Sequence, residues 1–159
     1  MSHGSDEVFF PLLEGLAPDE KEAFLQLCEK KTYSKGARIF DEDKEAQTLY
    51  LLLEGCVELH FKPPGDRTME STFVLDECAG QVIGWSALVP PYKYNLSGYC
   101  KSDTVVLEVA KQKIDTLLLT NYHMAFLLMR NIAGQVAQRL LQRQDQLIKC
   151  LGEEAIHGW

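Results

Sequence analysis

Apolar positions change period twice along the chain, from helical to strand-like and back again. Between Val8 and Cys28 the residues Phe9, Phe10, Leu12, Leu13, Leu16, Ala23, Phe24 and Leu27 recur at helical spacing, interrupted at Gly15 and at Pro18-Asp19-Glu20. Proline suits the first turn of a helix, where its missing N–H would be unpaired anyway, so this stretch predicts two short helices. From Lys31 the pattern changes: Tyr33-Ser34-Lys35-Gly36 predicts a turn and Arg38-Ile39-Phe40-Asp41 a short strand. Thr48 to Leu53 is a continuous apolar run closed by Glu54-Gly55. Cys56 to Phe61 follows with near-alternating polarity before Pro63-Pro64-Gly65-Asp66, and the two runs together predict a hairpin. Thr72–Leu75, Ser97–Ser102 and Thr104–Val109 predict further strands, with Gly80 and Gly84 punctuating the stretch between. Many short strands at regular turn spacing predict a sandwich or roll.

The helical period returns at Ile114 and continues from Tyr122 to about Leu151, a run with Gly134 inside it and no Pro. About 28 residues at 1.5 Å rise reach about 40 Å. Phe126, Ala133, Leu140 and Leu147 are seven apart, and Met129 and Val136 lie on the adjoining row, whereas the later half is otherwise polar. So narrow an apolar seam, on a helix that outruns its own domain, predicts a parallel homodimer. Arg130, Arg139, Arg143 and Lys149 on that helix are interspersed with Gln and Asp and read as the solvated flank of a coiled coil. The expected organisation is a flexible N-terminus over 1–7, a β-roll with flanking helices over 8–120, a dimerisation helix over 121–151 and a tail over 152–159.

With 159 residues, 46% apolar and 25% charged, the chain suits one compact domain. A net charge of −7 works against the chain as a whole holding a phosphate backbone. No apolar run approaches the roughly 18–20 residues of a membrane helix. The stretch Met1 to Glu7 has no basic region leading into an apolar one, so the cytoplasm is the expected compartment and no membrane partner is expected. Five cysteines, Cys28, Cys56, Cys78, Cys100 and Cys150, form an odd set without a C-x-x-C pair; the expectation is reduced, mostly buried thiols.

Several segments together carry a resemblance: x-Gly36-x-x-Ile39-Phe40-x-Glu42, Leu49-Tyr50-x-Leu52-x-x-Gly55-x-Val57, and Gly80-x-x-x-Gly84-x-x-Ala87-Leu88, between short helices and a long final one. Over about residues 8 to 150 the chain resembles the cyclic-nucleotide-binding domain of the catabolite-activator/FNR (Crp/Fnr) type. The resemblance implies a mainly β fold with flanking helices, a double-stranded β-helix or jelly roll, and a phosphate-binding cassette from Gly84 to about Ser97. In that family the cassette amides and an Arg hold the cyclic phosphate while a Glu takes the ribose hydroxyl. Here Trp85 stands where the family's Glu would be and Tyr94 where its Arg would be. Lys93 offers a point charge one place away, without the planar fork of Arg. The expected ligand contacts are Gly84, Trp85, Ser86, Ala87, Tyr92, Lys93, Tyr94, Ser97 and, on the next strand, Tyr99. An aromatic mouth of this kind either takes a planar ligand by stacking or fills an obsolete pocket. A guanidinium or carboxylate from elsewhere, such as Arg67 or Glu77, would restore the lost grip.

Other chemistry finds little support. Gly84-Trp85-Ser86-Ala87-Leu88 opens like a nucleophile elbow, but Leu88 stands where the second Gly is needed, so the chain is not expected to be an enzyme. His3, His60, His123 and His157 are isolated, so no metal is expected, and the cysteines are too widely spaced for an iron–sulfur cluster. Haem, with His60, Cys78, Cys100 or a Met as axial ligand, is a minor alternative. Asn95-Leu96-Ser97 matches a glycosylation triplet by letters alone. The family's transcription factors place a helix-turn-helix after the long helix, and the eight residues after Leu151 are too few for one. The expected function is therefore a non-enzymatic sensor module with an altered cassette and either a different effector or none, read by a partner protein. The alternatives are the cAMP- or cGMP-binding effector domain of a Crp/Fnr-type regulator whose DNA-reading part lies elsewhere, and a ligand-free adaptor.

Overall fold

The structure is a computed structural model that describes residues 8–61 and 73–157. Its centre is β3 (Thr48–Glu54), the continuous apolar run. Successive strand side chains point to opposite faces, so an unbroken run means burial on both. Leu49 and Leu51 face a helical layer with Phe24, Ile114, Met124, Leu128 and Ile132, whereas Tyr50 and Leu52 face the roll interior with Phe40, Val57, Leu59 and Val106.

Among the described residues, eight strands form two four-stranded antiparallel sheets. One has the order β1-β8-β3-β6 and the other β2-β7-β4-β5, with β1 Glu29–Tyr33, β2 Arg38–Phe40, β4 Cys56–Phe61, β5 Phe73–Cys78, β6 Val82–Ile83, β7 Ser97–Cys100 and β8 Thr104–Ala110. The jelly-roll expectation from the family resemblance is met. A 3-10 turn (Pro11–Leu13), α1 (Pro18–Gln26) and α2 (Lys111–Thr120) cover the first sheet together with the start of α3 (Tyr122–His157). Asn121 starts α3, its Oδ1 accepting from the Met124 N–H at 3.0 Å.

Four readings are corrected. The expected hairpin does not form: β3 pairs with β6 and β8, while β4 pairs with β5 and β7 in the other sheet. Gly55 is a corner between sheets; its φ is +82°, and a Cβ there would lie 2.4 Å from the Asp103 carbonyl oxygen. Strand β1 falls where a helix-to-turn transition was expected, because Glu29–Lys31 and Thr32 are exposed on an edge strand and show no alternation. Cys56 and Cys78 are not reduced thiols but form a disulfide, being direct partners across β4 and β5. Cys28 and Cys100 do match the reduced, sheltered expectation, burial pushing the Cys28 thiol up to about 12, whereas Cys150 is exposed. Finally, α3 continues through most of the expected tail to His157. Residues 1–7, the Pro63-Pro64-Gly65-Asp66 turn, Arg67 and Trp159 lie outside the described residues.

Candidate functional site

The cassette opens where β6 ends. Gly84 takes φ +76°, and a Cβ on it would come within 2.9 Å of the Thr48 carbonyl oxygen, so the turn requires glycine. A four-residue 3-10 turn, Trp85–Leu88, follows with Ser86, Ala87 and Leu88 buried. The chain returns through Tyr92, which holds a left-handed φ of +60°, and Lys93 beside it forms a strand-like backbone bridge with Glu45.

Tyr94 fills the interior of this cradle. It is 6% exposed, and its ring stacks on Phe40 with centroids 4.4 Å apart. Its hydroxyl donates to the Thr48 carbonyl at 2.8 Å and accepts from the Thr48 N–H at 3.2 Å. Burial raises its pKa, so the phenol stays a neutral donor. The crevice left among Phe40, Leu59, Gly84, Trp85, Tyr94 and Leu96 holds about 10 Å³, barely the room of one water. Small-molecule sites occupy roughly 300–1,000 Å³. Tyr94→Phe is expected to cost about 1–3 kcal/mol of stability, since it strips both backbone groups of Thr48 of this partner; urea denaturation measures it, and an unchanged midpoint would show that the phenol is packing alone.

The mouth of the crevice is closed from α3. Arg139 Nη2 donates to Glu77 Oε1 at 2.9 Å, with side chains only 16% and 14% exposed, and the guanidinium lies 5.5 Å from the Trp85 ring centroid. The expectation of a solvated arginine flank is therefore overturned at Arg139. Arg143 sits one turn on, and burial followed by the Arg139 charge holds its guanidinium below the usual arginine range. Sequence inspection missed Arg139 because heptad counting followed the exposed seam. The signal that could have found it is the row Leu128, Ile132, Val136, Arg139, which continues the face packed on the roll. Glu77 reaches Arg139 rather than the crevice, lining an adjoining recess of about 70 Å³ with Gln81, Gln135, Gln138 and Gln142.

The other expected contacts are dispersed. Ser97 Oγ accepts from the Glu42 N–H at 2.9 Å. Tyr99 is not in the cassette mouth: its ring meets His60 edge-on at 4.8 Å and lies 5.2 Å from the Arg38 guanidinium, in a recess with Lys35, Glu58 and Lys101. The cause is β7 alternation, which sends Gly98 and Cys100 inward and leaves Tyr99 outward. Tyr92 turns to the start of α2, with Lys111 Nζ 4.0 Å from its ring centroid. Of the suggested haem ligands, Cys78 is bonded to Cys56, Cys100 is buried in the roll, and His60 contacts Glu58 at 3.1 Å. No group of three metal-binding side chains occurs among the described residues.

Along α3 most of the seam is exposed. Phe126, Met129, Leu140 and Leu147 are exposed, as is Ala133, while Val136 packs partly on the domain's own core. Leu141, Ile148 and Leu151 are exposed too, so the apolar face is broader than the seven-residue repeat alone shows. Among the described residues no helix is long and apolar enough to cross a membrane.

Comparison with known proteins gives this geometry a family. The model of the cyclic nucleotide-binding domain matches residues 30–121. The cyclic AMP receptor protein of Thermus thermophilus is 28% identical over 145 residues, covering 91% of this chain and 64% of that protein. Glutaminase 1 of Bradyrhizobium diazoefficiens is 28% identical over 131 residues, which cover 82% of this chain and 20% of that protein. The chain thus spans less than two thirds of these curated relatives. A cyclic nucleotide-binding protein from Geobacter metallireducens superposes with a TM-score of 0.71 at 27% identity, covering 82% of this chain and 92% of that one. The Thermus thermophilus catabolite activator protein superposes with a TM-score of 0.70 at 26% identity, covering 86% and 61%. The match over more than half of the chain, on this roll and this cassette, places the protein in the cyclic nucleotide-binding domain family, among Crp/Fnr-type proteins.

Proposed function

We propose that this domain is a non-enzymatic sensor whose cassette keeps the family frame but does not grip a cyclic nucleotide, and that it signals through a homodimer built on α3. The observation that carries this is Tyr94, whose ring and hydroxyl occupy the cradle and leave about 10 Å³. Losing the partner of a buried charge costs about 2–5 kcal/mol, a factor of roughly 30 to several thousand in affinity. Trp85 and Tyr94 replace both gripping groups, and Lys93, bridged to Glu45, does not line the crevice. Isothermal titration with cAMP and with cGMP is expected to show no binding tighter than about 10 µM; a tighter constant for either overturns the reading.

Signal would pass through the contact between Trp85 and Arg139, which joins cassette to α3 directly. A ligand that prefers one arrangement of that contact shifts the helix, and a partner protein reads the exposed face. A second reading is supported by coverage: the chain matches 64% of the Thermus thermophilus receptor protein, as the effector part of a longer regulator would. The encoded reading frame beyond Trp159 separates the two, since a downstream helix-turn-helix would make the protein a transcription regulator.

A further inference from the structure

The Cys56–Cys78 disulfide stands one residue from the ion pair that ties α3 to the roll. Val57 and Leu59 of β4 face the roll interior, and their direct partners on β5, Glu77 and Leu75, share that face. Side chains alternate along a strand, so Cys56 and Cys78 lie on the outer face, where both are partly exposed. The bridge joins the last residue of β5 to the first of β4. On the inner face Glu77 Oε1 accepts from Arg139 Nη2 at 2.9 Å, and that guanidinium lies 5.5 Å from the Trp85 ring centroid.

We propose that Cys56–Cys78 is a reversible thiol–disulfide exchange site for a dithiol reductant, and that α3 reads its state through Glu77 and Arg139. One thiolate of the reductant attacks a bridge sulfur, and the other cysteine leaves as a thiolate and takes a proton. The reductant's second thiolate then resolves the mixed disulfide. The protein gains two electrons and two protons as two thiols, and the reductant departs as a cyclic disulfide. A disulfide oxidant such as oxidised glutathione runs the same exchange in reverse. Both states keep the fold, because β4 and β5 stay paired in register from Cys56–Cys78 to Phe61–Phe73. Opening the bridge leaves two thiols that must part to non-bonded contact, and Cys78 passes that movement on. Its carbonyl accepts from the Gln81 N–H at 3.0 Å and its own N–H donates to Gln81 Oε1, so the strand end and the turn after it move together, with Glu77. Arg139 then has a second acceptor within reach. Gln135 lies one helical turn before it and lines the same recess of about 70 Å³, and Gln135 Oε1 is buried without a hydrogen-bond partner among the described residues. The guanidinium therefore has two discrete arrangements, on Glu77 with the bridge closed and on Gln135 with it open, and each sets it differently against Trp85. From the reading above the inference takes only the contact of Trp85 with Arg139, and it needs no ligand in the cassette.

The test uses the full chain labelled with 15N, dithiothreitol as the dithiol, and the indole N–H resonance of Trp85 assigned with Trp85→Phe. Treating the folded protein with dithiothreitol is expected to move that resonance, and exchange into oxidised glutathione to return it to its starting position. Glu77→Gln, checked by thermal melting to be folded, is expected to lose most of the shift, because no carboxylate then holds Arg139 in the oxidised state. Gln135→Met, which removes the second acceptor, is expected to lose most of it too. Cys56→Ser/Cys78→Ser should rest near the reduced position and ignore dithiothreitol, which sets aside Cys28, Cys100 and Cys150 as the source. A bridge that resists dithiothreitol in the folded protein, an unmoved Trp85 resonance, a shift that does not reverse, the full shift in Glu77→Gln or Gln135→Met, or a response that survives in the double-serine variant would each overturn the proposal. If the double-serine variant does not fold, the reversal and the two single variants decide. Titration with cAMP keeps the two readings distinct: tight binding defeats the cassette reading and leaves this inference standing, whereas a missing redox response defeats only this inference.

Discussion

Reduction of the Cys56–Cys78 disulfide is expected to lower unfolding stability by about 3 kcal/mol. The two cysteines are 22 residues apart in sequence, and cross-linking a loop of that size removes chain entropy from the unfolded ensemble. In the folded state both lie on neighbouring strands and already face each other, so reduction leaves the native partners β4 and β5 in place. The loss therefore appears as easier global unfolding. Two measurements check this. Denatured, unreduced protein should titrate three free thiols, from Cys28, Cys100 and Cys150, and five after reduction. The denaturation midpoint should fall on adding a phosphine reductant and in Cys56→Ser/Cys78→Ser, to the same extent. Five thiols without reductant would disprove the bridge. Glu77 adjoins Cys78 and holds Arg139, so reduced protein offers a further readout at the Trp85 indole.

The second large effect concerns association. Leu140 and Leu147 are 57% and 59% exposed on α3, with Leu141, Ile148 and Leu151 beside them. Burying a leucine side chain against a partner contributes about 1.5–3 kcal/mol, and a two-fold dimer buries each position twice. Leu140→Glu/Leu147→Glu exchanges that gain for like charges facing each other, so the dissociation constant should rise by well over 100-fold. Light scattering at micromolar concentration is expected to give twice the chain mass for the natural sequence and the single-chain mass of 18.0 kDa for the double variant. A natural protein of 18.0 kDa, or a variant that still associates, would remove the homodimer from the proposed function.

What was legible beforehand follows the reach of the interactions involved. The strand at Thr48–Leu53, the alternating Cys56–Phe61 segment and the long final helix all announce themselves through local periodicity, because burial selects side chains at a repeat set by the backbone itself. Glycines at 36, 55, 80 and 84, each with positive φ, mark corners for the same local reason. The edge strand Glu29–Tyr33 was illegible since its exposed face obeys no hydrophobic repeat. Val82–Ile83 is too short for any repeat to register.

The cassette divides the same way. That positions 85 and 94 carry an indole and a phenol is a matter of order along the chain, and the sequence alone determined it, together with the strand-rich class and the apolar seam of the final helix. Which sheet each strand joined, that Cys56 faced Cys78, that Tyr99 pointed away from the cassette, and that Arg139 reached Glu77 and Trp85 were decided only in three dimensions. Local patterns record which face of an element is apolar. Pairings between residues 22 or 62 positions apart depend on register and on how helix and sheet are set against one another, and no local period encodes either.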